Sequence, residues 1–274
     1  KDNKFDGIDI ALENKKAETK PYFSIFLKGL YQRMGNKWVM CDIEPRTPLS
    51  SRYDGTPPPD ATDYANDYVE INKYCDRVRV MAYDQGTIDL TLNAARAAPY
   101  IPLADPAWVE NVMNLAAKTI SKKKLVIGIP TYGYEYSVTP MSVSGYRYDL
   151  QWALNPKYGT DLAARLGVAP LRNSSNELSF IYKPSTSVAV SDPTETAQNN
   201  PFAPAVTLYS QAAIAAKIQP PFNVVWWSDA ISIADKVALA KKLGVRGIAI
   251  FKLDGGEDLD MWNVLKSFTK DGPL

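Results

Sequence analysis

The chain has 274 residues, of which 46% are hydrophobic and 22% charged, which suffices for a large buried core. Its 31 basic and 30 acidic residues nearly cancel, and this balance argues against nucleic acid or an anionic membrane surface as the partner. The lack of any histidine excludes Ser-His-Asp and Cys-His mechanisms and every imidazole-ligated metal site. Acid–base chemistry in this chain therefore has to use carboxylates, tyrosines or lysines.

Cys41 and Cys75 are the only cysteines, too few for a zinc cluster or a disulfide framework. The sequence leaves a single disulfide and two free thiols equally open. No apolar run has the length of a transmembrane helix, so we expect no membrane insertion. The first predicted strand begins within five residues of the N-terminus, and we therefore expect the chain to start inside a domain.

Apolar, β-rich runs alternate with helical patterns, which is typical of βα units around a parallel sheet. We predict strands at 5–12, 37–43, 77–83, 124–130 and 247–253, and helices at 21–34, 62–74, 107–120, 232–243 and 259–268. Five strands are too few for a closed parallel barrel, which needs eight. From 132 to 227 the chain is polar, with short strands predicted at 178–183 and 223–227, and this indicates an inserted α+β subdomain. The predicted divisions are 1–131, 132–227 and 228–274.

The segment 5–13 is the one that indicates chemistry. Alternate residues of a strand share a face, so Asp9, Ala11 and Glu13 project to one side. We expect the aliphatic residues at 8, 10 and 12 to project to the other side and pack under helices. A row of carboxylates inside a sheet is costly unless the groups are paired or protonated, and such grouping raises at least one pKa, as a general acid requires. A strand end with solvated acids is the alternative.

This segment resembles the Asp-x-x-Asp-x-Asp-x-Glu signature of the family 18 glycoside hydrolases, with Asp6, Asp9 and Glu13 matching and Ala11 in place of the third Asp. The segments 81–84 (Met-Ala-Tyr-Asp), 128–133 and 226–229 are similar, in order, to later segments of that family. The resemblance implies an α/β fold, a (β/α)8 TIM barrel, with a small α+β insertion after the seventh strand. The chain would carry strands four to eight, and the three N-terminal strands would be absent from it. A second polypeptide segment is then expected to complete the barrel, because open parallel edges are poorly tolerated.

The same resemblance implies substrate-assisted, retaining cleavage of β-1,4 links next to N-acetylglucosamine, in chitin-type or peptidoglycan glycans, with no metal and no cofactor. Glu13 would be the acid, Asp9 would support it, and Tyr83 would hold the substrate's acetamido oxygen. The predicted substrate-binding residues are Ala11, Met81, Asp84, Tyr132, Trp227 and Phe251; of these, Tyr132 and Trp227 are chosen as aromatic platforms for sugar rings. Asp6 and Gly7 are predicted to be structural.

Two departures from the family pattern bear on activity. Ala11 lacks the carboxyl that contacts the acid and the acetamido N–H in the family, a loss typically worth on the order of a hundredfold in rate. Phe251 stands where the last strand often carries a tryptophan. These favour the alternative of a catalytically inactive, chitinase-like lectin, whereas Glu13 and Tyr83 favour an enzyme. A non-enzymatic interaction domain is a third alternative. We expect an extracellular or cell-envelope location.

Overall fold

The computed structural model describes residues 4–53, 55–89, 98–141, 145–184 and 221–270. The strands are β1 (Gly7–Ile10), β2 (Trp38–Ile43), β3 (Arg77–Val80), β4 (Leu125–Pro130), β5 (Gly133–Pro140), β6 (Tyr146–Leu154), β7 (Leu171–Arg172), β8 (Leu178–Tyr182), β9 (Phe222–Trp227) and β10 (Gly247–Phe251). The α-helices are α1 (Lys20–Met34), α2 (Leu49–Arg52), α3 (Tyr68–Tyr74), α4 (Gln85–Ile88), α5 (Pro106–Ala117), α6 (Pro156–Leu166), α7 (Ala230–Leu243) and α8 (Met261–Lys270), and a 3-10 turn precedes α1.

Five parallel strands form the first sheet, in the order β1-β2-β3-β4-β10. Each strand pairs with the next one of this sheet along the chain, as in a singly wound barrel. The sheet is open, with β1 and β10 at its two edges. Within the described residues, the parallel sheet therefore has five strands, as predicted. Their order is that of a barrel, but the sheet does not close.

Helices cover one face of this parallel sheet. On β2 the side chains of Val39, Cys41 and Ile43 are buried toward those helices, while the residues between them are only half-buried or exposed. Residues from α1, α3, α5 and α7 join them in one continuous apolar core. The opposite face carries the polar side chains that make up the candidate site.

Several predicted elements are longer than the observed ones. The following helix is an example, because a capping residue sets where it begins. The helix predicted at 62–74 begins only at Tyr68, where Asp67 caps it by accepting hydrogen bonds from two backbone N–H groups of the first turn. The expectation that 8, 10 and 12 pack under helices is correct for Ile10 alone. Ile8 is exposed on the edge strand β1, and Leu12 is exposed in the segment that follows this strand.

The second sheet is antiparallel, in the order β6-β5-β9-β8-β7, and lies between Gly133 and Trp227. Together with α6 it has the α+β character predicted for that region. Strands β8 and β9 were predicted from the sequence, whereas β5 and β6 were not. These strands read GYEYSVTP and YRYDLQWAL, and their many tyrosines and polar residues hide the apolar alternation that marks a strand.

Cys41 on β2 and Cys75 at the end of α3 form a disulfide, which resolves the alternative left open by the sequence. Both residues are buried in the apolar core of the parallel sheet. Within the described residues, no helix combines the length and the apolar character that crossing a membrane requires.

Candidate active site

Glu13 lies just beyond β1, on an exposed loop at the carboxyl end of the parallel sheet. The next residue, Asn14, has a left-handed backbone (φ 54°), and its N–H donates to Glu44 Oε1 at 3.2 Å. This turn fixes the direction in which the chain leaves the strand. The Glu13 carboxylate lies close enough to Asp42 and Tyr83 to raise the pKa of both groups.

Asp9 and Asp42 share one guanidinium below the acid. Arg79 Nη2 donates to Asp9 Oδ2 at 2.8 Å, and Arg79 Nη1 donates to Asp42 Oδ2 at 2.9 Å. The two carboxyl groups also lie within hydrogen-bonding reach of each other. Burial raises the pKa of Asp42 to about 6, aided by the charges of Asp9 and Glu13 and opposed by that of Arg79.

Tyr83 follows β3 and is buried against an aromatic wall. Its ring stacks on Phe251 with 5.3 Å between centroids and 10° between planes. Burial, and then the carboxylates of Asp42, Asp84 and Glu13, raise the pKa of the Tyr83 hydroxyl, which keeps it a hydrogen-bond donor at neutral pH. Gly128 on β4 makes room for this ring, since a Cβ there would lie 2.8 Å from Tyr83 Cε1.

Asp84 is held by two tyrosines from the insertion. Tyr132 donates to Asp84 Oδ1 at 2.5 Å and Tyr134 donates to the same atom at 2.8 Å. Tyr132 is only 3% exposed, so it orients Asp84 from behind rather than presenting a face to a sugar. The predicted platform role of Tyr132 is therefore wrong, although the residue belongs to the site. Phe251, at 47% exposed, presents a solvent-exposed aromatic ring beside Tyr83.

The structure corrects two other assignments. Trp227 is 1% exposed and sits in the core of the insertion, 3.1 Å from the point where a Cβ on Gly159 would lie, so no ligand reaches it. The Asp6 side chain is 98% exposed and lies 4.0 Å from Lys37, so within the described residues its carboxyl supports no part of the framework. The Asp6 carbonyl instead accepts from the Trp38 N–H at 3.0 Å.

The remaining predicted residues fall at or beside the site. Gly7 lies where β1 and β2 approach closely, since a Cβ there would be 2.5 Å from the Trp38 carbonyl oxygen, which fits a structural role. Met81 is half-buried against the cluster that contains Tyr83. Ala11 is exposed at the end of β1, between Asp9 and Glu13.

A buried carboxylate connects the insertion to helix α7 and to the loop before α5. Glu177 is fully buried, 3.5 Å from Lys236 Nζ of α7, and accepts from Trp226 Nε1 at 2.6 Å. It also accepts from the backbone N–H groups of Leu103 and Ala104, each at 3.0 Å. The Leu103 carbonyl in turn accepts from the backbone N–H of Gln85, the residue after Asp84. The insertion thereby fixes the loop that carries Asp84.

Sequence reasoning missed Asp42, Arg79 and Tyr134. The signal for the first two was present: each is a charged residue in a strand whose alternate positions are Val, Ile or Cys, the same pattern that singled out Asp9. Nothing comparable marks Tyr134, because its partner Asp84 is 50 residues away in sequence. Within the described ranges, no group of three or more Cys, Asp or Glu side chains is arranged to hold a metal ion.

Comparison with known proteins gives one family. The family model described as glycosyl hydrolases family 18 matches residues 1–256. An uncharacterized glycosylase, YvbX of Bacillus subtilis (strain 168), is 23% identical over 272 residues, covering 98% of this chain and 63% of the relative.

Two solved structures illustrate the similarity of fold. The Bacillus cereus spore cortex-lytic enzyme SleL matches with a TM-score of 0.65 and 17% identity, over 96% of this chain and 48% of its own. A chitinase from Chromobacterium violaceum ATCC 12472 matches with a TM-score of 0.65 and 21% identity, over 97% of this chain and 67% of its own. The fold is thus TIM-barrel-like, and the chain spans about half to two thirds of the length of these relatives.

Proposed function

The chain belongs to family 18 of the glycosyl hydrolases, and from that premise we propose that it cleaves β-1,4 links next to N-acetylglucosamine by substrate-assisted, retaining catalysis. One observation carries the proposal: Glu13, Tyr83 and Asp84 converge at the carboxyl end of the same parallel sheet, where barrel enzymes carry out their chemistry. A lectin needs sugar-binding groups there but has no use for an acid beside a buried tyrosine.

In the proposed mechanism, Glu13 donates its proton to the glycosidic oxygen as the bond from that oxygen to the anomeric carbon breaks. The acetamido carbonyl oxygen of the substrate attacks the anomeric carbon and forms a cyclic oxazolinium ion. Water, deprotonated by Glu13, then opens this ion with retention. Tyr83 donates a hydrogen bond to the acetamido oxygen, a role that suits a hydroxyl whose raised pKa keeps its proton in place.

In this proposal, Phe251 and Asp84 bind the sugar at the carboxyl end of the sheet. The exposed ring of Phe251 offers an apolar surface for a pyranose ring, supported from behind by its stack on Tyr83. Asp84, fixed by Tyr132 and Tyr134, presents its remaining acceptor atoms to sugar hydroxyl or amide groups. The substrate class is an N-acetylglucosamine polymer, as the names of the chitinase and the spore cortex-lytic relatives suggest.

The open sheet needs further strands for this chemistry. We infer that a second polypeptide segment supplies the first three βα units and pairs with the edges β1 and β10. Support comes from the exposed apolar residues along this open side, where Ile8, Leu12 and Leu253 are each at least 40% exposed. An open strand edge presents unpaired backbone N–H and C=O groups, and it therefore favours pairing with another strand. Below, this chain together with that segment is called the completed barrel.

We also propose an extracellular or cell-envelope location. The Cys41–Cys75 disulfide supports it, because disulfides persist mainly in oxidising compartments. A thiol-reactive label added to cells under non-reducing conditions should leave both cysteines unmodified. Labelling of both would contradict the proposed location.

The test of the catalytic proposal is release of fluorophore from a fluorogenic chito-oligosaccharide by the completed barrel. Glu13→Gln should lower the rate of fluorophore release at least a hundredfold while leaving oligosaccharide binding intact. Glu18→Gln is the matched control, since Glu18 is exposed five residues further along, and it should behave as the unmodified protein. Binding without Glu13-dependent turnover would favour the lectin alternative.

A further inference from the structure

The residue beside Ala11 on the neighbouring strand is Asp42. In the parallel pairing of β1 with β2, Asp9 lies opposite Met40 and Ile10 lies opposite Cys41. Continuing that register by one residue places Ala11 opposite Asp42. Because both strands alternate, these two positions face the same side of the sheet as Asp9. Asp42 is therefore the nearest lateral neighbour of the position where the family signature lacks its third carboxyl.

The Asp42 carboxyl is mostly buried, and its two oxygens differ in their hydrogen bonds. Its side chain is 11% exposed, and Oδ2 accepts from Arg79 at 2.9 Å. The other oxygen, Oδ1, is buried and accepts no hydrogen bond from an N–H or hydroxyl group of the described residues, although the Asp9 carboxyl lies within reach of Asp42. A buried acceptor left without a donor costs free energy, and such groups in folded proteins call for an explanation. A protonated carboxyl group beside Asp42 would supply the missing donor.

From this geometry we propose that Asp42 supplies, from the adjacent strand, the carboxyl that the signature lacks at position 11, and so acts as a positioning residue for Glu13. This inference rests on the proposed function. Alanine at position 11 has no side-chain atom beyond Cβ, so it does not compete with the Asp42 carboxyl for the position beside it. Arg79 holds Asp42 and Asp9 with the two arms of one guanidinium, which limits the directions in which Asp42 can point.

The electrostatics agree with this role. Asp42 faces Asp9 and Glu13 on the β1 side and Arg79 and Tyr83 on the β3 side. Burial and the two acidic neighbours raise the pKa of Asp42 to about 6, whereas an aspartate that only paired with an arginine on a surface would have a lowered pKa. The Asp42 carboxyl therefore changes protonation state near pH 6.

The test is a pair of substitutions in the completed barrel and their combination. Asp42→Ala should lower kcat at least tenfold and change KM less than threefold, since it removes an interaction with the acid and not with the bound sugar. Ala11→Asp alone should raise kcat. In the double variant, Ala11→Asp should restore most of the kcat lost with Asp42→Ala. Asp63→Ala, a change at an exposed aspartate, is the matched control and should leave kcat unchanged.

Asp42→Asn provides a second variant of equal size in case the alanine variant folds poorly. It should also lower kcat at least tenfold, and the pH–rate profile should lose the limb that titrates near pH 6. If Asp42 had only a structural role, the Asp42→Asn variant would keep that limb of the pH–rate profile, and Ala11→Asp would not restore kcat in the double variant. If Glu13-dependent turnover is present and both Asp42 variants keep full kcat, this inference is overturned and the proposed function stands. If turnover does not depend on Glu13, the proposed function fails, and the inference fails with it.

Discussion

Replacing Asp42 by asparagine should stabilise the protein at neutral pH, although the same change is expected to slow catalysis. The pKa of Asp42 is raised from 3.8 to about 6 in the folded chain, so the folded state holds that proton more tightly than the unfolded state does. Stability of the unmodified protein therefore falls as pH rises from about 4 to about 6. Asparagine resembles the protonated form at every pH and escapes this loss.

The size of this stabilisation follows from the raised pKa of Asp42. About two pKa units correspond to about 3 kcal/mol of free energy of unfolding. We expect about half of that, because solvent near the open sheet partly screens the charge. The gain from Asp42→Asn should be near zero at pH 4 and reach about 1–2 kcal/mol at pH 7 and above. Loss of the ion pair with Arg79 is offset in part, since Arg79 keeps its contact with Asp9 at 2.8 Å.

Urea unfolding followed by tryptophan fluorescence at several pH values between 4 and 8 measures this directly, as the chain has six tryptophans. Asp63→Asn is the control, because its exposed carboxyl should give a difference close to zero at every pH. A variant that is less stable than the unmodified protein at pH 7 would show that the Arg79 ion pair outweighs burial. Such a result would refute the predicted stabilisation.

Three further predictions concern the framework around the site. Lys236→Met should lower the free energy of unfolding by about 3–5 kcal/mol because it leaves Glu177 buried without its cation, while the double variant with Glu177→Gln should recover part of that loss in urea unfolding. Gly128→Ala should reduce kcat at least tenfold by displacing Tyr83, since the new Cβ would lie 2.7 Å from the Val80 carbonyl oxygen and 2.8 Å from the tyrosine ring; an unchanged kcat would contradict the close contact. Reduction of the disulfide should lower stability by about 2–4 kcal/mol, as the bond closes a loop between residues 34 apart, and equal denaturation midpoints with and without reductant would refute this.

The sequence predicted the parallel sheet well because its strands are buried on the helix side. Alternating Val, Cys and Ile on β2 and the apolar run of β4 are local patterns, and they locate the strands to within a few residues. The tyrosine-rich strands β5 and β6 gave no such signal. Their stability comes from pairing with each other and with β9, which no local pattern encodes.

The candidate site divides in the same way. The sequence by itself singled out Glu13, Asp9 and Tyr83 as candidates, because these residues lie in short motifs whose spacing matches a known family. Only the tertiary structure showed that Trp227 is buried, that Tyr132 supports Asp84, and that Asp42 lies beside Ala11. Those three facts depend on which strands are neighbours and in which register they pair. Strand pairing joins residues that are far apart in the chain, so its outcome is decided by packing and not by the local sequence.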